Sequence, residues 1–460
     1  MMKAPQLLIL GFLFLGIGLA SAQKPAITDK SPGNEAINKK EMADEVKDAM
    51  IHAWAGYKEY AWGMDALKPV SKTAENWYPE TLLMTPVDAY DALLIMGLKD
   101  QASEAKELIL SKLDFNKDME VQNFEVSIRL LGGLLSAYEL DGDKKFLDLA
   151  SDLGSRLIKT FESPTGMPYR YINLRTGVKH GEISNPAEIG TYLVEFGILS
   201  HHTGDQRYFE TAKKAMKALY QRCSKIGLPG STINIETGEW VSTESHISGG
   251  IDSYFEYLLK AAILFQDEEL MKMWKSSAEA IRLYLSDKKE GELWYRHVDM
   301  NSGAVISTRY GALDAFFVGS LVLSGDIESA AALQESNYKM WMLQGIEPEE
   351  IDYGTMKIIY DGYALRPENI EGAYYMYQAT ADEKYLKMGQ SMFRNLVKYC
   401  RNDAGFCALK SVVTKENEDS MESFFLAETL KYAYLLFDDS NKITFSKAIF
   451  GTEAHPYKRF

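Results

Sequence analysis

From about Lys39 onward, apolar positions recur at helical spacing and are never interrupted by a long polar stretch. Segments such as VSIRLLGGLLSAYEL (126–140) and EIGTYLVEFGILSHH (188–202) are apolar over most of their circumference, the pattern of a helix enclosed on all sides. Others, such as FLDLASDLGSRLIKTF (146–161), carry an apolar stripe and a polar face, as a helix half in solvent does. A short acidic turn separates the two kinds: LKDQASEA at Asp100, DGDKKFLDLA at Asp143, TGDQRYFETA at Asp205, FQDEELMKMW at Asp267, SGDIESAAAL at Asp326, TADEKYLKMG at Asp382 and FDDSNK at Asp439. After the first interval these markers recur every 56–62 residues. An Asp at such a turn suits the N-cap of the helix that follows.

This pattern predicts seven helical hairpins. A hairpin with two apolar faces cannot bury both alone, so hairpins must stack, into an open solenoid or a closed ring. The segments that are apolar nearly all round (ALLIMGL, SIRLLGGLL, SFFLAETLKYAYLLF) favour a ring of inner and outer helices, an all-α architecture. Between hairpins lie longer loops rich in Gly, Thr and Asn, such as PTGMPYRYINLRTGVKHGE and GLPGSTINIETGEWVSTESHISGG. Parts of them alternate and predict short β-ribbons at one end of the ring, where function is commonly placed. No later stretch reads as a linker, so residues 39–460 are expected to form a single domain.

The 460 residues are 46% hydrophobic and 12% aromatic, enough for a large core. A net charge of −15 excludes the basic surface that nucleic acid requires. At the N-terminus, Lys3 precedes the apolar run LLILGFLFLGIGLA (7–20) and then Ala20-Ser21-Ala22. That order reads as an export signal over residues 1–22, and the run is short for a transmembrane helix. Residues 23–38, polar and with Pro25, Pro32 and Gly33, read as a tether. The mature protein is therefore expected to be exported and free of a membrane anchor. Its place would be periplasmic or extracellular in a bacterium and the secretory lumen in a eukaryote. A monomer is expected. Three cysteines do not make a disulfide scaffold; Cys400 and Cys407 are near enough to pair across a loop, or to remain free thiols, and Cys223 is left over.

Candidate chemistry lies where each first helix begins. An acid stands 11–18 residues before every marker: Asp88, Glu125, Glu188, Asp252, Asp314, Glu368, and Glu422 or Glu428. At 1.5 Å per residue each lies about one helix length before its turn, so a ring would gather them at one rim. Acids also favour helix N-termini through the macrodipole alone. Several of these, Glu125 in NFEVSIRLL above all, sit among Phe, Tyr, Val and Ile, which points to an interior and, for Glu125, to a carboxyl that keeps its proton. A cavity of carboxylates and aromatics suits glycoside hydrolysis, where two acids act as proton donor and base. It also suits a hard cation such as Ca²⁺. GxxxxGK[ST], HExxH and GxSxG are absent, and the seven histidines are scattered; the adjacent pair His201-His202 is expected at the surface.

Seven segments in order, FEVSIRLLGGLLSAY, FESPTGMPYRYINL, AEIGTYLVEFGILS, GIDSYFEYLLK, LRPENIE, MESFFLAETLKYAYLLF and TEAHP, resemble glycoside hydrolase family 47, the class I α-1,2-mannosidases. GLPGSTINIETGEWV and DSYFEYLLKAAILFQDEELM look most like its endoplasmic-reticulum-degradation-enhancing branch; a bacterial member would be compatible with the export signal and the lack of N-x-S/T sequons. The resemblance implies an (α/α)7 barrel and an inverting, Ca²⁺-dependent hydrolase of terminal α-1,2-linked mannose on N-glycans or mannan oligosaccharides. It implies Glu125 as general acid, Glu368 as general base, and Asp252 as a third catalytic carboxylate, an alternative base. It implies Arg129, Glu188, Arg366, Glu371, Phe424 and Glu428 as substrate-pocket residues, with Phe424 beneath the sugar ring. Thr452 would bind Ca²⁺ directly and Glu453 through water. Two features depart from the processing enzymes: Ala315 stands where they have a histidine, and ESNYKMW lacks their cysteine. A mannose-binding lectin or quality-control adaptor with weak or no hydrolysis is the alternative.

Overall fold

The computed structural model describes residues 37–440 and 443–459. The export signal and all but the last two residues of the tether lie outside them. Among the described residues, helices α1 (Lys39–Tyr60), α2 (Met84–Ile95), α3 (Lys99–Lys112), α4 (residues 123–141), α5 (Lys144–Leu157), α6 (residues 186–203) and α7 (Arg207–Tyr220) cover the first half. Helices α8 (Asp252–Leu264), α9 (Glu268–Ala280), α10 (residues 312–324), α11 (Ile327–Met342), α12 (Glu368–Thr380), α13 (Glu383–Cys400) and α14 (residues 425–437) cover the second.

The even-numbered helices are buried nearly all round; the odd-numbered ones bury one stripe. Each inner helix packs on the next, and α14 returns to α2, so the ring is closed and the fold is an (α/α)7 barrel. Six pairs are consecutive hairpins. The seventh is not: among the described residues no helix follows Asp439, and α14 packs instead against α1, with Asp439 in an ion pair to Lys39 at the start of that helix. The first helix thus closes the ring that the last one leaves open.

The acidic turns act largely as their chemistry predicts. Asp143, Asp267, Asp326 and Asp382 each accept a backbone N–H of the following helix, and Asp205 accepts that of Arg207 at 3.1 Å. Asp100 differs, lying inside the first turn of α3. His201 is exposed, and His202 is half-buried beside Glu139 at 2.9 Å. Cys223, Cys400 and Cys407 are free thiols. Cys407 is engaged otherwise: its N–H donates to the Cys400 carbonyl at 2.7 Å and its sulfur accepts from Asn402 Nδ2 at 3.1 Å.

The loops before the inner helices form antiparallel ribbons, and each borrows from its neighbour. Glu120–Gln122 pairs with Tyr171–Asn173, Ile183–Ser184 with Thr232–Asn234, Glu244–Ser245 with His297–Asp299, and Arg309–Gly311 with Glu350–Asp352. The ribbons therefore tie consecutive hairpins together at the end where the inner helices begin.

A C-terminal hairpin, Ala448–Phe450 with Pro456–Lys458, packs against α4 and α8. Phe450 is fully buried between Tyr374 and Tyr432, at 6.1 and 5.7 Å between ring centres, a burial that contributes about 2–3 kcal/mol. Close approaches of this hairpin and of α2 explain the GlyGly of RLLGGLL. A Cβ on Gly132 would lie 2.9 Å from the His455 ring, and one on Gly133 would lie 2.8 Å from the Val87 carbonyl oxygen.

Candidate active site

All eleven residues singled out above line one cavity at the ribbon end of the barrel: Glu125, Arg129, Glu188, Asp252, Arg366, Glu368, Glu371, Phe424, Glu428, Thr452 and Glu453. Five of the helix-start acids reach it, Glu428 rather than Glu422 representing the last hairpin. Asp88 and Asp314 do not line it. Asp314 accepts the Gly311 N–H at 2.8 Å and caps its own helix, the use that helix N-termini make of acids in general. Asp88 lies behind the cavity against His455. Glu256, one turn after Asp252 on α8, is a lining acid that the sequence reading missed; its i,i+4 spacing from Asp252 was the available signal.

Local helix geometry sets two of these groups. Glu125 ends the first turn of α4, and Val126–Leu131 then winds as a π-helix. Glu428 lies in a second π-helical turn, Phe425–Thr429. Such wide turns are frequent at functional sites because they re-aim side chains without breaking the helix.

Glu125 is not enclosed by its apolar sequence neighbours. Its side chain is 25% exposed, and Arg129 Nε donates to its carboxylate at 2.9 Å. Val126 and Ile128 are buried in the core, while half-buried Phe124 lines the cavity beside Glu125. Arg129 also donates to Glu453 and lies 3.8 Å from Asp88. Its guanidinium packs over Trp77 at 5.3 Å and Phe424 at 5.5 Å, while Arg366 covers Phe424 at 5.8 Å. Glu349 holds Arg366 in turn, at 3.0 Å. Glu188 is fixed by Arg170 at 2.7 Å and Gln122 at 3.1 Å.

The remaining acids are crowded: Glu256, Glu371, Glu428 and Glu453 are buried, and Asp252 and Glu368 are half-buried. Burial pushes Asp252 up to about 7, with the charges of Glu256 and Asp314 adding to it against the Ser253 N–H. Burial pushes Glu368 up to about 7 against the pull of Arg366. Glu371 rises to about 8 and Glu453 to about 7, burial leading in both. Burial and the neighbouring Glu453 carry Glu428 well above the usual carboxylate range. Eight carboxylates share the cavity with two guanidiniums, so the cavity has an excess of acid that a cation would offset.

A hard cation fits this donor set. The lining supplies oxygen ligands and neither His nor Cys. The Glu368 Oε2 oxygen is buried without a hydrogen-bond partner. Among the described residues no three His, Cys, Asp or Glu side chains close on a common point.

The family model described as Glycosyl hydrolase family 47 matches residues 49–459. The chain is 37% identical over 437 residues to Alpha-mannosidase I MNS4 of Arabidopsis thaliana, covering 90% of this chain and 69% of that protein. It is 36% identical over 464 residues to the ER degradation-enhancing alpha-mannosidase-like protein 2 of Homo sapiens, covering 97% and 79%. The solved α-1,2-mannosidase from Trichoderma reesei superposes with a TM-score of 0.84 at 25% identity, over 92% of this chain and 99% of that one. The fold is thus that of a glycoside hydrolase. The chain belongs to glycosyl hydrolase family 47.

Proposed function

We propose that this protein is an exported, Ca²⁺-dependent, inverting exo-α-1,2-mannosidase acting on terminal mannose of N-glycans or mannan oligosaccharides. The observation that carries the reading is the convergence of eleven motif residues from separate hairpins on one acid-rich cavity, in a chain similar to proteins named α-mannosidases. Residues 1–22 direct export and are removed, 23–38 tether, and 39–460 act as a monomeric catalytic domain. Among the described residues no helix is long and apolar enough to cross a membrane.

In this reading the mannose ring lies against Phe424, whose ring is held by the neighbouring Arg129 and Arg366 guanidiniums. Glu125 gives its proton to the glycosidic oxygen as the C–O bond breaks. Water attacks the anomeric carbon from the opposite face and loses its proton to Glu368 or Asp252. Inversion needs a separation of about 6.5–9.5 Å between acid and base to admit that water, which acids on different hairpins can provide. Arg129 divides itself among Glu125, Glu453 and Asp88 and so holds Glu125 less firmly than a dedicated partner would. Bases raised to about 7 by burial suit proton removal near neutral pH. Held by Thr452, with waters on Glu188, Glu371, Glu428 and Glu453, Ca²⁺ would grip adjacent sugar hydroxyls and offset the acid excess.

Position 315 does not line the cavity; its neighbours Leu313 and Phe316 do, giving that wall an apolar lining. Purified protein is expected to release mannose from α-1,2-mannobiose and to leave α-1,6-mannobiose intact. Binding of mannobiose without cleavage would instead support the lectin or adaptor reading.

A further inference from the structure

Four charged side chains lie behind the cavity, and only Asp88, through Arg129, bears on the mechanism above. Asp88 and Asp91, one turn apart on α2, Lys431 on α14 and His455 of the C-terminal hairpin are all fully buried. Buried charges persist only where partners offset them, and here opposite charges lie side by side. Lys431 Nζ lies 2.6 Å from Asp91 Oδ1, and His455 Nδ1 lies 2.7 Å from Asp91 Oδ2. His455 Nε2 lies 3.2 Å from Asp88 Oδ1. Ser136 Oγ of α4 donates to Asp91 at 2.9 Å.

The same groups hold the tip of the hairpin. Lys431 Nζ donates to the Ala454 carbonyl at 2.8 Å, and the Gly451 N–H donates to the His455 carbonyl at 2.8 Å. The Thr452 N–H donates to Tyr257 at 3.0 Å, whose hydroxyl donates to Glu195 at 2.6 Å. Ala454 sits at φ +56°, a left-handed conformation unfavourable for a residue with a Cβ and kept only where the surroundings over-determine it.

We propose that the buried Asp91–Lys431 pair, acting through His455 and the Ala454 carbonyl, is a positioning device that fixes the Thr452–Glu453 turn in the cavity before any ligand arrives. Its consequence for the metal rests on the reading of Thr452 as the calcium ligand; its consequence for the turn does not. Loss of the device would leave the cation site to assemble on binding.

The test uses Asp91→Asn/Lys431→Met, which removes opposite buried charges together, the change such pairs tolerate best. Ser136→Ala, which deletes one hydrogen bond to Asp91, serves as a mild second variant if the double variant does not fold. Hydrogen–deuterium exchange of calcium-free protein is expected to rise in the peptide spanning 449–457 while the other barrel helices keep wild-type protection, with Ser136→Ala showing a smaller change of the same sign. Calcium affinity by calorimetric titration is expected to fall roughly 10–100-fold, as for other groups that orient metal ligands. Unchanged protection of 449–457 would overturn the proposal, as would a uniform loss across the barrel with unaltered calcium affinity. A turn that opens in the variants of a protein whose wild type binds no calcium supports the positioning role and overturns the calcium reading alone.

Discussion

Glu125→Gln is expected to lower kcat by roughly 10²–10⁴-fold, the range of a lost general acid, while mannobiose binding stays near the wild-type value. The amide keeps the size and the acceptor oxygen that Arg129 Nε now meets at 2.9 Å, so the local packing is preserved. It cannot release a proton to the glycosidic oxygen. The expected signature is a fall in kcat with little change in KM, which marks an interaction made in the transition state. Calorimetric titration of the variant with mannobiose separates binding from turnover. Wild-type turnover in Glu125→Gln would remove this residue from the acid role.

Removal of calcium is expected to abolish activity and to destabilise the fold. A ligand present at 100 times its Kd stabilises by about 2.7 kcal/mol, so chelation should lower Tm by several degrees. The chelated protein should also acquire a pH dependence. Asp252, Glu368 and Asp314 are held at about 7 by burial, above their unfolded values of 3.8, 4.5 and 3.8. The folded state therefore binds more protons than the unfolded state between about pH 4 and 7. The associated stability is fully present below the unfolded values and lost as pH rises through 7. Thermal melts in EDTA should give a higher Tm at pH 5 than at pH 8. Calcium should reduce that slope, because a nearby cation favours the charged carboxylates. Full activity in EDTA would exclude a calcium requirement.

The barrel was legible because its inner helices are apolar all round and its outer ones are not, a contrast that a closed ring requires and an open stack does not. The partner of α14 was not legible as such. A hairpin count assumes that each helix pairs with the next, whereas ring closure brings Lys39–Tyr60 across the full length of the described chain. The acids at helix starts pointed to the right rim but did not separate cavity residues from caps: Asp314 satisfies a backbone N–H, as an acid at a helix start does without any further function. Glu125 shows the opposite failure. Its sequence neighbours are apolar, yet on a helix successive residues point in different directions, and the carboxylate meets Arg129 and stays part-exposed in an acid-lined cavity. Arg170, Glu349 and Trp77, which hold Glu188, Arg366 and Arg129, come from irregular loops and carry no periodic signal.

Proton NMR of α-1,2-mannobiose during its first turnovers measures the stereochemistry that carboxylates on separate hairpins impose. β-Mannose should appear first and equilibrate to the α-anomer only as mutarotation proceeds, and the signal should vanish when EDTA is present. Initial release of α-mannose would contradict an inverting mechanism in which Glu125 donates the proton and Glu368 or Asp252 activates water.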